Sequence, residues 1–265
     1  PGPASAKPVA AALVEAGVSD PRRPEAGGHS SRFLQRQYKC YSNLDNMTKQ
    51  QKAITASILT NMHEHATLPI ATPAEKAAAE LAVGAFFFAM RSCEYTHVSG
   101  PRRTKPLRIR NIRFFRHNRA MDLLDPELPS ATALSITFEF QKTDIQHETV
   151  HQHATPLQIL CPVKAWANIV QRILSYPGCD TESLVSTVIT NNQRRCISST
   201  FLAGQLQAAA KRIGPDVLGF SHLEVGTHSI RSGGAMAMYL AGVPVFTIML
   251  IGRWSSDAFL RYIRR

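Results

Sequence analysis

The stretch Thr227-His228-Ser229-Ile230-Arg231-Ser232-Gly233-Gly234 decides the reading of this chain when taken with Ile251-Gly252-Arg253-Trp254-Ser255-Ser256-Asp257-Ala258-Phe259-Leu260-Arg261-Tyr262-Ile263-Arg264. His228 and Arg231 stand three apart across a predicted helix start, so both side chains point to one side. A histidine at a helix start is more often a cap or a packed ring, and an HxxR pair alone is weak ground for a phosphate site. A tyrosine 31 residues after Arg231, in a segment with arginines of its own, adds the context that the pair lacks.

Working outward, the pattern after Gly226 predicts three short helices: Ser229 to Ala241, Pro244 to Ile251 and Ser256 to Ile263. Upstream, helical spacing covers Pro162 to Leu174 and Ser198 to Ile213, and strands separated by polar turns are expected at Leu107 to Phe115, Leu134 to Phe140 and Glu148 to Ala154. Lys142 falls in the turn between the last two of these strands. Pro73 opens a stretch to Met90 that is apolar nearly all round, as a buried central helix is, and Arg91 stands at its end. Phe86, Phe87 and Phe88 read as core, and Met236, Met238 and Met249 as packing in the carboxy-terminal helices. From Phe33 to Ala66 the spacing of Ile54, Ile58, Leu59 and Met62 is helical, whereas the first thirty residues hold five of the 16 prolines and read as a linker with one short helix. The fold class expected is mainly α with a small antiparallel β-sheet, with residues 1–50 as linker and remnant of an amino-terminal domain and residues 51–265 as the catalytic domain.

The composition narrows the partners. In 265 residues, 30 Lys and Arg against 19 Asp and Glu leave a net charge of +11. The sequence pI of about 9.8 makes a polyanion the expected partner, nucleic acid ahead of an acidic membrane. The charge is concentrated: Arg102, Arg103, Lys105, Arg108, Arg110, Arg113, Arg116 and Arg119 lie together, and no acidic residue occurs between Glu94 and Asp122. A charge run is usually a solvated face. Here the cations alternate with Leu107, Ile109, Ile112, Phe114 and Phe115, which suits a strand whose outer face meets phosphates.

Five scattered cysteines without a CxxC pair read as reduced intracellular thiols. The longest apolar run, Leu81 to Met90, is about half of the roughly twenty residues that a membrane span needs. A soluble intracellular protein is expected, nuclear if the host is a eukaryote. The start at Pro1 suggests a piece of something longer.

The ordered set resembles the tyrosine site-specific recombinases, of the phage integrase and Cre-like kind, whose catalytic residues are an Arg, a Lys in a β-hairpin, an HxxR, a His or Trp, and a nucleophilic Tyr. Arg91-Ser92-Cys93-Glu94 looks like the family's first arginine with its acidic residue three positions on. Gln141-Lys142-Thr143 matches the hairpin lysine, His228-Ser229-Ile230-Arg231 the HxxR, and Tyr262 the nucleophile. The stretch Gly252 to Arg264 is similar to recombinases of eukaryotic mobile elements, and the resemblance covers roughly Ile54 to Arg265. One position departs from the pattern. Nine residues before Tyr262, where the family has His or Trp, this chain has Arg253, with Trp254 one place later. Either Arg253 donates to the phosphate or Trp254 shifts into the role.

The resemblance implies DNA breaking and joining through a 3′-phosphotyrosyl link, on double-stranded DNA, with self-association into a tetrameric synapse by the full-length protein. The trailing helix by which the family docks on a neighbouring protomer is not found after Tyr262, so only weak self-assembly is expected of this chain. The residue chemistry agrees with the implied mechanism. Forked guanidinium groups of Arg91 and Arg231 suit the non-bridging oxygens of a phosphodiester. A tyrosine hydroxyl, with a pKa near 10, attacks only if a base such as His228 takes its proton. Lys142 can protonate the leaving 5′ oxygen. Glu94 would orient the clamp rather than touch DNA, because a free carboxylate repels phosphate.

No metal or nucleotide cofactor is expected. His147, His151 and His153 would share one strand face, but no Cys or acidic ligand set accompanies them and a polar strand facing DNA accounts for them as well. No GxxxxGK[ST] loop occurs, and no GxGxxG follows a strand. Tyr95 and Tyr239 are rival tyrosines, one directly after the clamp region and one within an apolar helical stretch. Two other functions share these residues: a DNA-binding descendant without turnover, and a type IB topoisomerase-like enzyme.

Overall fold

In a computed structural model the chain divides into two units, Pro1–Gln50 and Gln51–Arg265. The structure describes residues 51–98, 104–140 and 146–254, all in the second unit. The expected linker, the helix Ser256 to Ile263, and the residues Arg102, Arg103, Lys142 and Tyr262 lie outside the described residues.

The centre is the helix predicted from Pro73. Helix α1 spans Ala56–Thr67 and α2 spans Pro73–Phe87. Thr72 caps α2 through a capping box with Glu75, and Pro73 supplies the first helical φ, so the start is written locally. Nine residues of α2 from Ala77 to Phe86 are buried, which is why its sequence lacks an amphipathic face. Its end carries less sequence signal. Ala89 adopts φ of 42°, breaking the helix within an apolar run and turning the backbone toward Arg91 and the one-turn helix α3, Ser92–Tyr95.

A four-stranded antiparallel sheet of order β2-β1-β3-β4 follows, from β1 (Ile112–Arg116), β2 (Arg119–Ala120), β3 (Ala133–Phe140) and β4 (Gln146–His153). Leu134, Ile136, Phe138 and Val150 are buried on its inner face, which packs on helix α4, Pro162–Leu174. The strand expected from Leu107 begins only at Ile112, because residues 109–111 form a 3-10 turn held by Asn111 Oδ1 accepting from the Arg108 amide at 2.8 Å. His147, His151 and His153 are exposed on β4, and among the described residues no group of three His, Cys, Asp or Glu side chains can hold a metal ion.

A second hairpin, β5 (Thr187–Thr190) and β6 (Gln193–Cys196), was not expected; Asn191 and Asn192, both at positive φ, make its two-residue turn. Helix α5, Ser199–Ile213, starts at the Ser198 cap, and the short α6, Pro215–Leu218, follows. Helices α7 (Thr227–Leu240) and α8 (Val245–Gly252) complete the described chain. No helix among the described residues is long and apolar enough to cross a membrane. Of the residues expected as packing, Phe86 and Phe88 are core, while Phe87, Met236, Met238 and Met249 are half-buried.

Two glycine contacts set how closely these helices approach. A Cβ at Gly84 would lie 2.8 Å from the ring of the buried Trp166, which seats α4 on α2. A Cβ at Gly234 would lie 2.1 Å from the Phe86 carbonyl, which seats α7 against the end of α2. Gly204, by contrast, is exposed within α5 and a Cβ there meets nothing within 4 Å. Urea denaturation of the two alanine variants therefore separates packing from propensity. Gly204→Ala should stabilise by about 0.5–1 kcal/mol, and Gly234→Ala should destabilise by about 2 kcal/mol or more.

Candidate active site

The site is assembled where the end of α2, the start of α7 and the end of α8 meet. Glu94 lies at its centre and is 1% exposed. Its carboxylate accepts from the Arg91 amide at 2.9 Å, from Arg91 Nη1 at 3.1 Å and from Arg253 Nη2 at 2.7 Å. The first two are local, since Arg91 caps the helical turn whose third residue is Glu94. The third spans 159 residues. Burial alone would push the Glu94 carboxyl up. The guanidinium of Arg253, then those of Arg91 and Arg231, overcome that and hold it below its ordinary value of 4.5.

Arg231 is 1% exposed, on the first turns of α7. It donates through Nη1 to the Ala89 carbonyl and through Nη2 to the Gly252 carbonyl at 2.6 Å, and its Cζ lies 3.9 Å from the centre of the Trp254 ring. The Ala89 carbonyl is available because α2 has already broken. The start of α7 is anchored from residues far upstream: Lys52 and Ile54 amides donate to the Glu224 and Ser229 carbonyls at 2.8 and 3.1 Å, and the His228 amide donates to Gln51 Oε1 at 3.1 Å. A Cβ at Gly233 would meet the Ile54 carbonyl at 2.5 Å. The two glycines after Arg231 thus let the helix carrying the HxxR lie against both the 51–54 segment and the end of α2.

His228 is an exposed residue beside this cluster. Partial removal of its imidazole from water, then the positive charge of Arg231 and Arg91, lowers its pKa from the ordinary 6.5. A neutral imidazole at neutral pH can accept a proton. Tyr95 is the reverse case: burial, then the Glu94 charge, pushes its phenol far up, and its hydroxyl has no hydrogen-bond partner among the described residues. Tyr239 is 38% exposed on the second half of α7.

The structure brings together Arg91, Glu94, His228, Arg231, Arg253 and Trp254. Sequence reasoning missed the carbonyls of Phe88, Ala89 and Gly252 that receive the arginines, and the Phe138 ring that lies under Arg253. Only the positive φ at Ala89 explains the first two, and nothing in the run Phe86-Phe87-Phe88-Ala89-Met90 signals it.

The basic run divides. Lys105 and Arg110 pair with Glu139 at 3.6 and 2.8 Å; Arg110 also pairs with Glu182, and Arg108 donates to the Glu182 carbonyl. Arg116 reaches Glu127 at 3.6 Å. The partners lie outside the acid-free interval, so the sequence run overstates the field. Arg113 and Arg119 are exposed.

No protein-family model matches the sequence, and no curated protein matches it. Among solved structures, the chain is similar to the XerH site-specific recombinase bound to its difH substrate in a pre-cleavage complex, at 14% identity and a TM-score of 0.52, over 90% of this chain and 64% of that one. The chain thus spans about two thirds of the XerH length or slightly less. Two structures of the Tn1549 transposon integrase with circular intermediate DNA align at 14% and 13% identity, each with a TM-score of 0.45, over 99% and 100% of this chain and 81% of those.

The lowered His228 pKa fixes the sign of one pH effect. The unfolded chain takes up the imidazole proton first on acidification, so the stability drawn from the neutral ring is present above about pH 6.5 and is lost as pH falls through the lower native value. Urea denaturation across this range should show wild-type stability falling more steeply below pH 6.5 than that of His228→Gln. The described residues from Gln51 to Trp254 have the fold of a tyrosine recombinase catalytic domain.

Proposed function

We propose that this chain cleaves and rejoins double-stranded DNA through a covalent 3′-phosphotyrosyl intermediate, as a site-specific recombinase or transposase serving a mobile element. The observation that carries the reading is the gathering of Arg91, Arg231 and Arg253 about the buried Glu94, with His228 beside them, from stretches up to 162 residues apart. The fold shared with XerH, a recombinase solved with its DNA substrate, supports the same reading.

In this mechanism Arg91 and Arg231 hold the non-bridging oxygens of the scissile phosphate, where charge accumulates in the transition state, and Arg231 exchanges a carbonyl acceptor, that of Ala89 or Gly252, for a phosphate oxygen as DNA binds. His228 takes the Tyr262 proton as the phenolic oxygen attacks phosphorus. The bond from phosphorus to the 5′ oxygen breaks, and Lys142 delivers a proton to that oxygen. The phosphodiester is exchanged for a phosphotyrosyl ester, so rejoining by an incoming 5′ hydroxyl runs the same steps in reverse. In the full-length protein the exchange takes place between two sites in a tetrameric synapse. Neither metal nor nucleotide is required.

A second reading is a DNA-binding descendant that has lost turnover. The observation favouring it is that Arg253, where the family has His or Trp, is turned into the interior.

Nicked suicide duplexes spanning the element ends separate the two. The active enzyme should give a protein–DNA adduct on a denaturing gel that survives chelator and is abolished by Tyr262→Phe. Arg231→Ala should slow its formation by at least about 100-fold. Salt-dependent binding with no adduct on a verified target would establish the retired form.

A further inference from the structure

We infer that Arg253 is a positioning residue that locks the pairing of Glu94 with Arg91, and is not a ligand of the scissile phosphate. The inference rests on the recombinase reading and assigns the position at which this chain departs from the family pattern.

Arg253 follows α8 in the left-handed conformation, φ 57° and ψ 50°, and this turn sends its side chain inward. The side chain is 0% exposed. Nη2 donates to Glu94 Oε2 at 2.7 Å, and Nη1 donates to the Ile251 carbonyl at 2.9 Å and to the Phe88 carbonyl at 3.2 Å. One guanidinium face lies over the Phe138 ring, with Cζ 3.7 Å from its centre. Nε is buried with no hydrogen-bond partner among the described residues. What sets this group apart from Arg231, which donates to backbone carbonyls, is its direct pair with a carboxylate: a phosphate on Nη2 would displace Glu94 and leave a buried charge without its nearest cation, and one on the guanidinium face would displace the sheet residue Phe138.

The same contacts say what the residue does. Arg253 holds one oxygen of the carboxylate, Arg91 Nη1 holds the other, and the Arg253 carbonyl accepts from Arg91 Nη2 at 3.4 Å. Arg91 is thus held twice by this residue, once through the shared carboxylate and once directly. Phe88, Phe138 and Ile251 bring the end of α2, strand β3 and the end of α8 to the same guanidinium. The adjacent Trp254 is half-buried, lies face-on to Arg231, and covers Gly252, where a Cβ would sit 1.6 Å from its ring. Of the two neighbouring positions, Trp254 therefore lies beside the phosphate clamp and Arg253 lies behind it.

Three variants of the whole chain test this without requiring turnover: Arg253→Met, Arg253→Lys, and Arg253→Met combined with Glu94→Gln. The first readout is binding to a short duplex of random sequence as a function of salt. A positioning residue leaves the slope of log affinity against log salt unchanged, whereas loss of a phosphate contact reduces it by about 0.9. The second readout is urea denaturation across the range from about pH 4.5 to about pH 7.5, above the ordinary carboxylate value. With Arg253 absent, the buried carboxylate loses its nearest cation, so the penalty for Arg253→Met should widen as pH rises. It should reach roughly 100-fold or more in the folding equilibrium constant near neutrality. Glu94→Gln in the same chain should remove most of the pH dependence, and Arg253→Lys should retain part of the stability. If Arg253→Met alone does not fold, recovery of the fold by the added Glu94→Gln supports the pairing. A reduced salt slope, or a stability penalty independent of pH and unrelieved by Glu94→Gln, overturns the inference. Neither readout uses the DNA adduct, so failure here is distinct from failure of the recombinase reading.

Discussion

A single buried carboxylate ties the end of α2 to the residues that follow α8. Glu94 is drawn out of water, which for an isolated carboxylate would favour the neutral acid. It remains ionised because guanidinium groups reach it from Arg91 beside it in sequence and from Arg253 at the far end of the described chain. The arrangement is reciprocal. Guanidinium groups crowded together would repel one another, and the shared anion offsets that repulsion while fixing the planes of two forks. A buried pair of this kind adds little to stability compared with well-packed apolar residues, but loss of either partner is strongly destabilising. Its value lies in the geometry it enforces.

The fold delivers those groups by backbone choices that have nothing to do with charge. Helix α2 is apolar nearly all round, so it sits at the centre, and its break at Ala89 frees carbonyls that then accept from Arg231 and Arg253. Gly233 and Gly234 remove the side chains that would hold α7 away from Ile54 and Phe86. A left-handed residue after α8 turns one arginine inward while the next residue, Trp254, covers Arg231. Positions with a special φ or a close approach thus decide where the charged groups arrive.

This explains what could be read from the sequence and what could not. The helix at Pro162 to Leu174 was legible to the residue, because Pro162 marks its first turn and its apolar face repeats at helical spacing. Strand β3 was legible from the apolar alternation of Leu134, Ile136, Phe138 and Phe140, and β4, a polar strand with Val150 as its one apolar residue, from its place after a polar stretch. The hairpin β5–β6 was missed: its strands are four residues each, and two asparagines at positive φ give a weaker turn signal than Asn-Gly. The strand expected from Leu107 starts late because a side chain, Asn111, competes for the backbone. At the candidate site, Arg91, Glu94, His228 and Arg231 were picked out through the resemblance to a recombinase residue set, since the spacing of any one motif alone is weak, and the fold brings the four together. Which way the side chains of Arg253 and Trp254 turn was not legible, since it depends on a single φ. The basic run misled for a related reason: Glu139 and Glu182, remote in sequence, take up part of its charge.

A titration of the Glu94 side chain tests the central claim most directly. With carbon-13 in the glutamate carboxyl groups and Glu94→Gln to assign the resonance, its chemical shift can be followed downward in pH while the protein stays folded. The account predicts a carboxyl that remains ionised below its ordinary value of 4.5, held there by the arginines. A resonance that titrates above 4.5, as burial without effective pairing requires, would contradict it.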